Sequence, residues 1–105
     1  MKMPSAVQAF FEAKDLDVVA NIFTLNAVVK DEGKRYNGRH AIRQWRVAAT
    51  QKYQYISEPF EVALRGDTVM VRANVTGDFP GSPVVLGYIF HLAEENIDGL
   101  EISHD

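Results

Sequence analysis

Apolar positions near the start of the chain recur at helical spacing. Val7, Phe10 and Phe11 fall at i, i+3 and i+4 behind Pro4 and Ser5, two residues suited to a helix start, so a short amphipathic helix ending near Lys14 is expected. Asp15 can cap a second helix in which Leu16, Val19, Ala20 and Phe23 share one face. Ala27-Val28-Val29 is a short β-prone run, and Arg35-Tyr36 suggests a second short strand after a turn over Lys30 to Lys34 that contains Gly33. Asn37-Gly38 breaks the pattern, and from Arg39 to Thr50 a third helix carries Ile42, Trp45 and Ala49 on one stripe. Arg39, Arg43 and Arg46 form a second stripe, which could attract an anionic substrate or pair with carboxylates on neighbouring elements, and the solvated basic face is the preferred reading.

Beyond residue 52 the period changes to two. Phe60, Val62 and Leu64 alternate with Glu61 and Ala63, and Arg65-Gly66-Asp67 supplies a hairpin turn. From Thr68 to Thr76, Val69, Val71, Ala73 and Val75 make an aliphatic face against the largely polar Met70, Arg72, Asn74 and Thr76. Gly77 to Pro83 holds two glycines and two prolines and forces a wide connection to a strand over Val84 to Leu92. Leu86, Tyr88, Phe90 and Leu92 share one face of that strand, and Val85, Gly87, Ile89 and His91 the other. Glu94-Glu95-Asn96 turns into a last strand, Ile97 to Ile102. The order α-α-β-β-α-β-β-β-β describes an α+β chain with helices on one side of a curved, mostly antiparallel sheet.

Composition narrows what such a chain can do. At 105 residues and 47% hydrophobic content it is read as one domain, residues 1–105, with one core. A net charge of −3 without a basic cluster argues against nucleic acid as a partner. Zero cysteines exclude disulfides, thiolate metal sites and a cysteine nucleophile, and His40, His91 and His104 lack metal-ligand spacing, so no metal is expected. No stretch has the length of a signal-peptide core or a membrane span, so the expectation is a soluble cytoplasmic protein without a membrane partner.

Several short motifs, in this order and spacing, resemble the nuclear transport factor 2-like superfamily. They are Lys14-Asp15-Leu16-Asp17 with Ile22-Phe23, Asn26-Ala27-Val28-Val29-Lys30-Asp31, Tyr36-Asn37-Gly38 with Ala41-Ile42-Arg43-Gln44-Trp45, and Tyr88 to Leu92 with Ile97 to Ile102. That superfamily includes ketosteroid isomerase, scytalone dehydratase and SnoaL-like polyketide cyclases, and the resemblance implies a cystatin-like cone. Because this fold hosts both enzymes and binding modules, function has to be argued from the residues.

The resemblance puts Asp31 where the isomerases carry their general base. It aligns Phe10 or Phe11 with the first-helix tyrosine of their oxyanion hole, and neither can donate a hydrogen bond. Tyr88 falls near the strand position of their protonated aspartate and can donate through its phenol. Asp31 as base and Tyr88 as electrophilic donor are therefore the candidate catalytic pair, with Phe10, Trp45 and Phe90 as ligand-binding walls. The blander readings are a solvated turn carboxylate, a tyrosine bonded to backbone, and a tryptophan that only fills the core. With no further helix to cover the cone, a small or shallow pocket is expected, and Phe79 is expected either over the cone or against a partner subunit.

Two functions lead, ahead of a protein-recognition module of the same fold, which rests on the fold alone and ranks last. The first is isomerase, dehydratase or cyclase chemistry by proton transfer on a small apolar organic molecule, which needs no cofactor. The second is a non-catalytic module that binds a ligand or only fills its cavity and forms a homodimer through the sheet face bearing Arg72, Asn74 and His91.

Overall fold

Helix α1 (Ser5–Glu12) buries Ala6, Val7 and Phe10 on the face its spacing marks as apolar. Pro4 stands at its N-cap without a side-chain cap. Helix α2 (Leu16–Asn21) is fixed by Asp15, whose carboxylate accepts from the backbone N–H groups of Asp17 at 2.8 Å and Val18 at 3.4 Å. That cap satisfies donors that a helix start otherwise leaves unpaired. The computed structural model describes residues 2–104, the side chains of residues 52 and 53 excepted; Met1 and Asp105 lie outside the described residues.

Strand β1 (Phe23–Asp31) begins earlier than the β-prone run alone indicates. Phe23, expected as the last apolar position of the second helix, is its first residue. It pairs in parallel with Ile97, and the Ile97 N–H donates to the Ile22 carbonyl at 2.8 Å, so tertiary pairing overrides the helical period here. A two-residue turn at Glu32 (φ 54°) and Gly33 (φ 75°) leads into β2 (Lys34–Asn37). Both φ angles are positive, as the tightest hairpin turns require.

Helix α3 (Arg39–Tyr53) then packs on β1 and β2, followed by β3 (Ile56–Arg65), β4 (Thr68–Thr76), β5 (Val84–Ala93) and β6 (Asn96–His104). The six strands lie in the order β2-β1-β6-β5-β4-β3, antiparallel throughout except for the β1–β6 pair. The α+β order read from the sequence is the order observed. Phe10, Ile42 and Trp45 from the helices meet Phe23, Val29, Val71, Tyr88, Phe90 and Leu100 from the sheet in one hydrophobic cluster. The alternation of β4 holds, with Val69, Val71, Ala73 and Val75 all buried.

β3 departs from its expected alternation. A bulge between Pro59 and Glu61 shifts the register, so Ser57, Pro59, Val62 and Leu64 pair with the inward residues Val75, Ala73, Val71 and Val69. Phe60, expected beside Val62, stays 40% exposed with the Arg72 guanidinium 5.2 Å from its ring centre. Leu64, opposite Val69 near the end of β3, is 62% exposed.

Candidate functional site

Strand alternation carries Ala27, Val29 and Asp31 to the same face of β1. Ala27 and Val29 are completely buried, while Asp31, at the strand end, emerges half-buried at the wall of a cavity of about 1350 Å³. Trp45, one helical stripe above, donates from Nε1 to Asp31 Oδ2 at 3.0 Å. Loss of water raises the Asp31 pKa above the usual 3.8, against the opposing effect of the Trp45 bond; the neighbouring Glu32 charge pushes it the same way as burial. Asp31 is thus the last paired residue of a strand, facing its partner Lys34, rather than a carboxylate out in the turn.

Tyr88 projects from β5 into the same cavity with 4% of its surface exposed. Its hydroxyl lies 3.2 Å from Ser57 Oγ on β3, a side chain rather than a backbone partner. Burial pushes its pKa from 10.0 up to about 12, which the Ser57 bond only partly offsets. The phenol is therefore neutral at physiological pH and available as a donor. Phe10 joins the two halves: its ring stacks on Trp45 at 6.3 Å and meets Tyr88 at 6.2 Å and Phe90 at 5.3 Å edge-on.

The structure therefore brings Asp31, Trp45, Tyr88 and Phe10 to one cavity wall. Phe90, expected on that wall, lies beneath it, fully buried and stacked on Tyr88 at 6.2 Å. The cavity is larger than the expected shallow pocket, because Phe79 and Pro80 of the loop after β4 and Ser103 and His104 at the end of β6 extend its rim. Phe79 thereby turns toward the cone.

Arg46 departs from the solvated face preferred for its row, being half-buried at the cavity. Its Nη2 donates to the Phe10 carbonyl at 3.0 Å, its Cζ sits 4.7 Å from the Phe10 ring centre, and its Nη1 is buried without a partner. Arg39 also turns inward, donating to the Phe23 carbonyl at 2.8 Å. Only Arg43 of the expected solvated row is exposed, 3.3 Å from Asp17. Ile42, Trp45, Arg46 and Ala49 fall at i, i+3, i+4 and i+7, and that spacing was the available signal.

Of the histidines, His40 is exposed, His91 lies 3.3 Å from Glu101 on the outer sheet face, and His104 borders the cavity. No group of three or more potential metal ligands occurs among the described residues, and no helix among them is long and apolar enough to cross a membrane.

A family model described as the SnoaL-like domain matches residues 6–99. The chain belongs to the SnoaL-like family. A solved structure from Sinorhizobium meliloti, provisionally named a polyketide cyclase, is 43% identical to this SnoaL-like domain; the match covers 96% of this chain and 95% of that one, with a TM-score of 0.94. A protein of ketosteroid isomerase-like fold from Catenulispora acidiphila, solved with trimethylamine, is 18% identical over 99% and 88% of the two chains, with a TM-score of 0.85. A protein from Jannaschia named for SnoaL-like polyketide cyclases is 18% identical over 95% and 83%, with a TM-score of 0.82. The last two establish the fold alone, which is the cystatin-like cone the motifs imply. No curated protein matches the sequence of this SnoaL-like domain.

Proposed function

We propose that this SnoaL-like domain binds a small, mainly apolar organic molecule in its cavity and moves a proton on it. Asp31 is the base and Tyr88 the neutral donor. The observation that carries the reading is the Asp31 carboxyl, on the inner face of β1, held by Trp45 Nε1 and raised in pKa by its burial. A carboxylate made more basic in this way is suited to taking a proton from carbon beside a carbonyl. The electron pair then moves to the carbonyl oxygen, where the Tyr88 hydroxyl can donate a hydrogen bond to the developing charge. Return of the proton at another atom gives isomerisation, and attack of the enolate carbon on a second carbonyl, with the proton returned from Asp31 to the alkoxide that forms, gives cyclisation. Phe10 and Trp45 supply apolar walls, and no cofactor enters the scheme. The name of the Sinorhizobium meliloti relative, a polyketide cyclase, is in keeping with carbon-acid chemistry.

The test is Asp31→Asn, followed by NMR as solvent-deuterium exchange and turnover on a panel of enolisable ketones. Loss of a positioned base predicts a drop of about 10²–10⁴-fold. Equal turnover in variant and wild type removes Asp31 from the mechanism.

A specific observation also favours self-association. The outer sheet face exposes Phe60 (40%) and Met70 (39%) beside Arg72, Asn74 and His91. A second copy of the chain is the proposed cover for this face, with a two-fold axis pairing like with like. Sedimentation at micromolar concentration should give the dimer mass, and a monomer there rejects the pairing.

A further inference from the structure

Arg46 makes one hydrogen bond and keeps a second, buried nitrogen without a partner. The Phe10 carbonyl accounts for Nη2 and ties α3 to α1. It leaves Nη1 shut off from water and unpartnered in a side chain that borders the cavity. A buried donor without a partner is uncommon and costly, more so on a permanent cation. Asp31 borders the same cavity, is also half-buried, and carries the opposite charge, yet its carboxylate is bonded to Trp45 instead. The other charged residues of the wall, Glu12, Lys14, Glu32, Lys34 and His104, are exposed, where water screens them. The cavity therefore holds two half-buried, opposite charges that do not neutralise each other.

We infer that the molecule bound in this cavity carries an anionic oxygen group of the carboxylate kind, received by the Arg46 guanidinium. This rests on the reading of the cavity as the ligand site and of Asp31 as the base that works elsewhere on the same molecule. The planar fork of arginine suits such a group. A turn of the guanidinium toward the cavity gives Nη1 the acceptor it lacks, and the Phe10 ring supports the cation from its other side. Arg39 is the internal control. It too is bonded to a carbonyl and has an unpartnered Nε, but it does not border the cavity.

Trp45 is the only tryptophan in the chain, so its indole N–H gives a single resonance that reports on the cavity wall. Phenylacetate and phenylacetamide, nearly equal in shape and unequal in charge, are titrated against the full chain while that resonance is followed. The carboxylate should bind about tenfold more tightly than the amide, the margin of a charge-assisted bond over a neutral one. Arg46→Gln should abolish the preference, Arg46→Lys should keep only part of it, and Arg39→Gln should leave it intact. Equal binding of the two probes by the wild-type protein, no response to millimolar phenylacetate, or an unchanged preference in Arg46→Gln overturns the inference. The wild-type comparison decides even if Arg46→Gln fails to fold. Asp31→Asn separates the two proposals. Turnover that survives this substitution while the anion preference depends on Arg46 removes the base and keeps the anion site. A missing preference with turnover lost in Asp31→Asn does the reverse.

Discussion

Tyr88→Phe deletes one hydroxyl from the cavity and nothing else of the ring. In the wild-type protein that phenol is raised from 10.0 to about 12, chiefly by burial. Between those two values the native state holds a proton that the unfolded chain has released, so stability is complete below pH 10 and falls as pH rises through the window. At about 1.4 kcal/mol per pH unit, the rise corresponds to about 3 kcal/mol of alkaline destabilisation that Tyr88 alone contributes. Urea unfolding of wild type and Tyr88→Phe from pH 8 to pH 12 isolates it, because the other three tyrosines and the lysines titrate in both proteins. Near neutrality the variant should be less stable by about 1 kcal/mol, the worth of the lost bond to Ser57. The difference should shrink and then reverse as pH approaches 12. An ultraviolet titration of the native wild type should show one phenol ionising after the rest. If the stability difference between the two proteins is flat across the alkaline range, Tyr88 is not the buried neutral donor described above.

The raised Asp31 carboxyl gives a related effect at lower pH. Its folded pKa exceeds the unfolded value, so the stability it confers is complete below the ordinary carboxylate range and is lost as pH rises through the folded pKa. Thermal melts of Asp31→Asn should lack that decline, leaving the variant at least as stable as wild type at pH 7; a variant that keeps the full decline points to another carboxyl. Phe10→Ala removes the ring shared by Trp45, Tyr88, Phe90 and Arg46, and a loss of about 3–5 kcal/mol is expected in urea unfolding. A loss below about 1 kcal/mol would mean that the ring fills no essential space.

Much of this was legible because local chemistry and long-range packing agree. Asp15 before an apolar-periodic run reads as a cap and is one, and period-two alternation places Val69 to Val75 in the core and Asp31 on the same face as Val29. The failures share one physical origin, namely a contact far away in sequence. Phe23 continues a helical pattern but is recruited into the sheet by Ile97. Phe60 alternates correctly with its neighbours, yet one bulge against β4 reverses its face. Arg46 reads as one charge of a surface row although its spacing also sets it beside Ile42 and Trp45, and it is the position of α1 that covers its guanidinium with Phe10. Ser57 carries no signal of its own, since its role depends on where Tyr88 ends.

The parallel pairing of β1 with β6 has a kinetic meaning. The strands β3 to β6 form a meander of neighbouring hairpins that can assemble from local contacts, whereas the Thr24 hydroxyl reaches the Asp98 carboxylate, 2.6 Å away, across 74 residues of chain. Closures of that span are slow to form and late to be rewarded. Because β6 stands between the strand that bears Asp31 and the strand that bears Tyr88, the two do not share a wall until residues 96–104 are in place. Assembly of the cavity wall in this protein is therefore coupled to the completion of folding: a chain that has formed only its meander already holds Tyr88 in place and does not yet have Asp31 on the same wall.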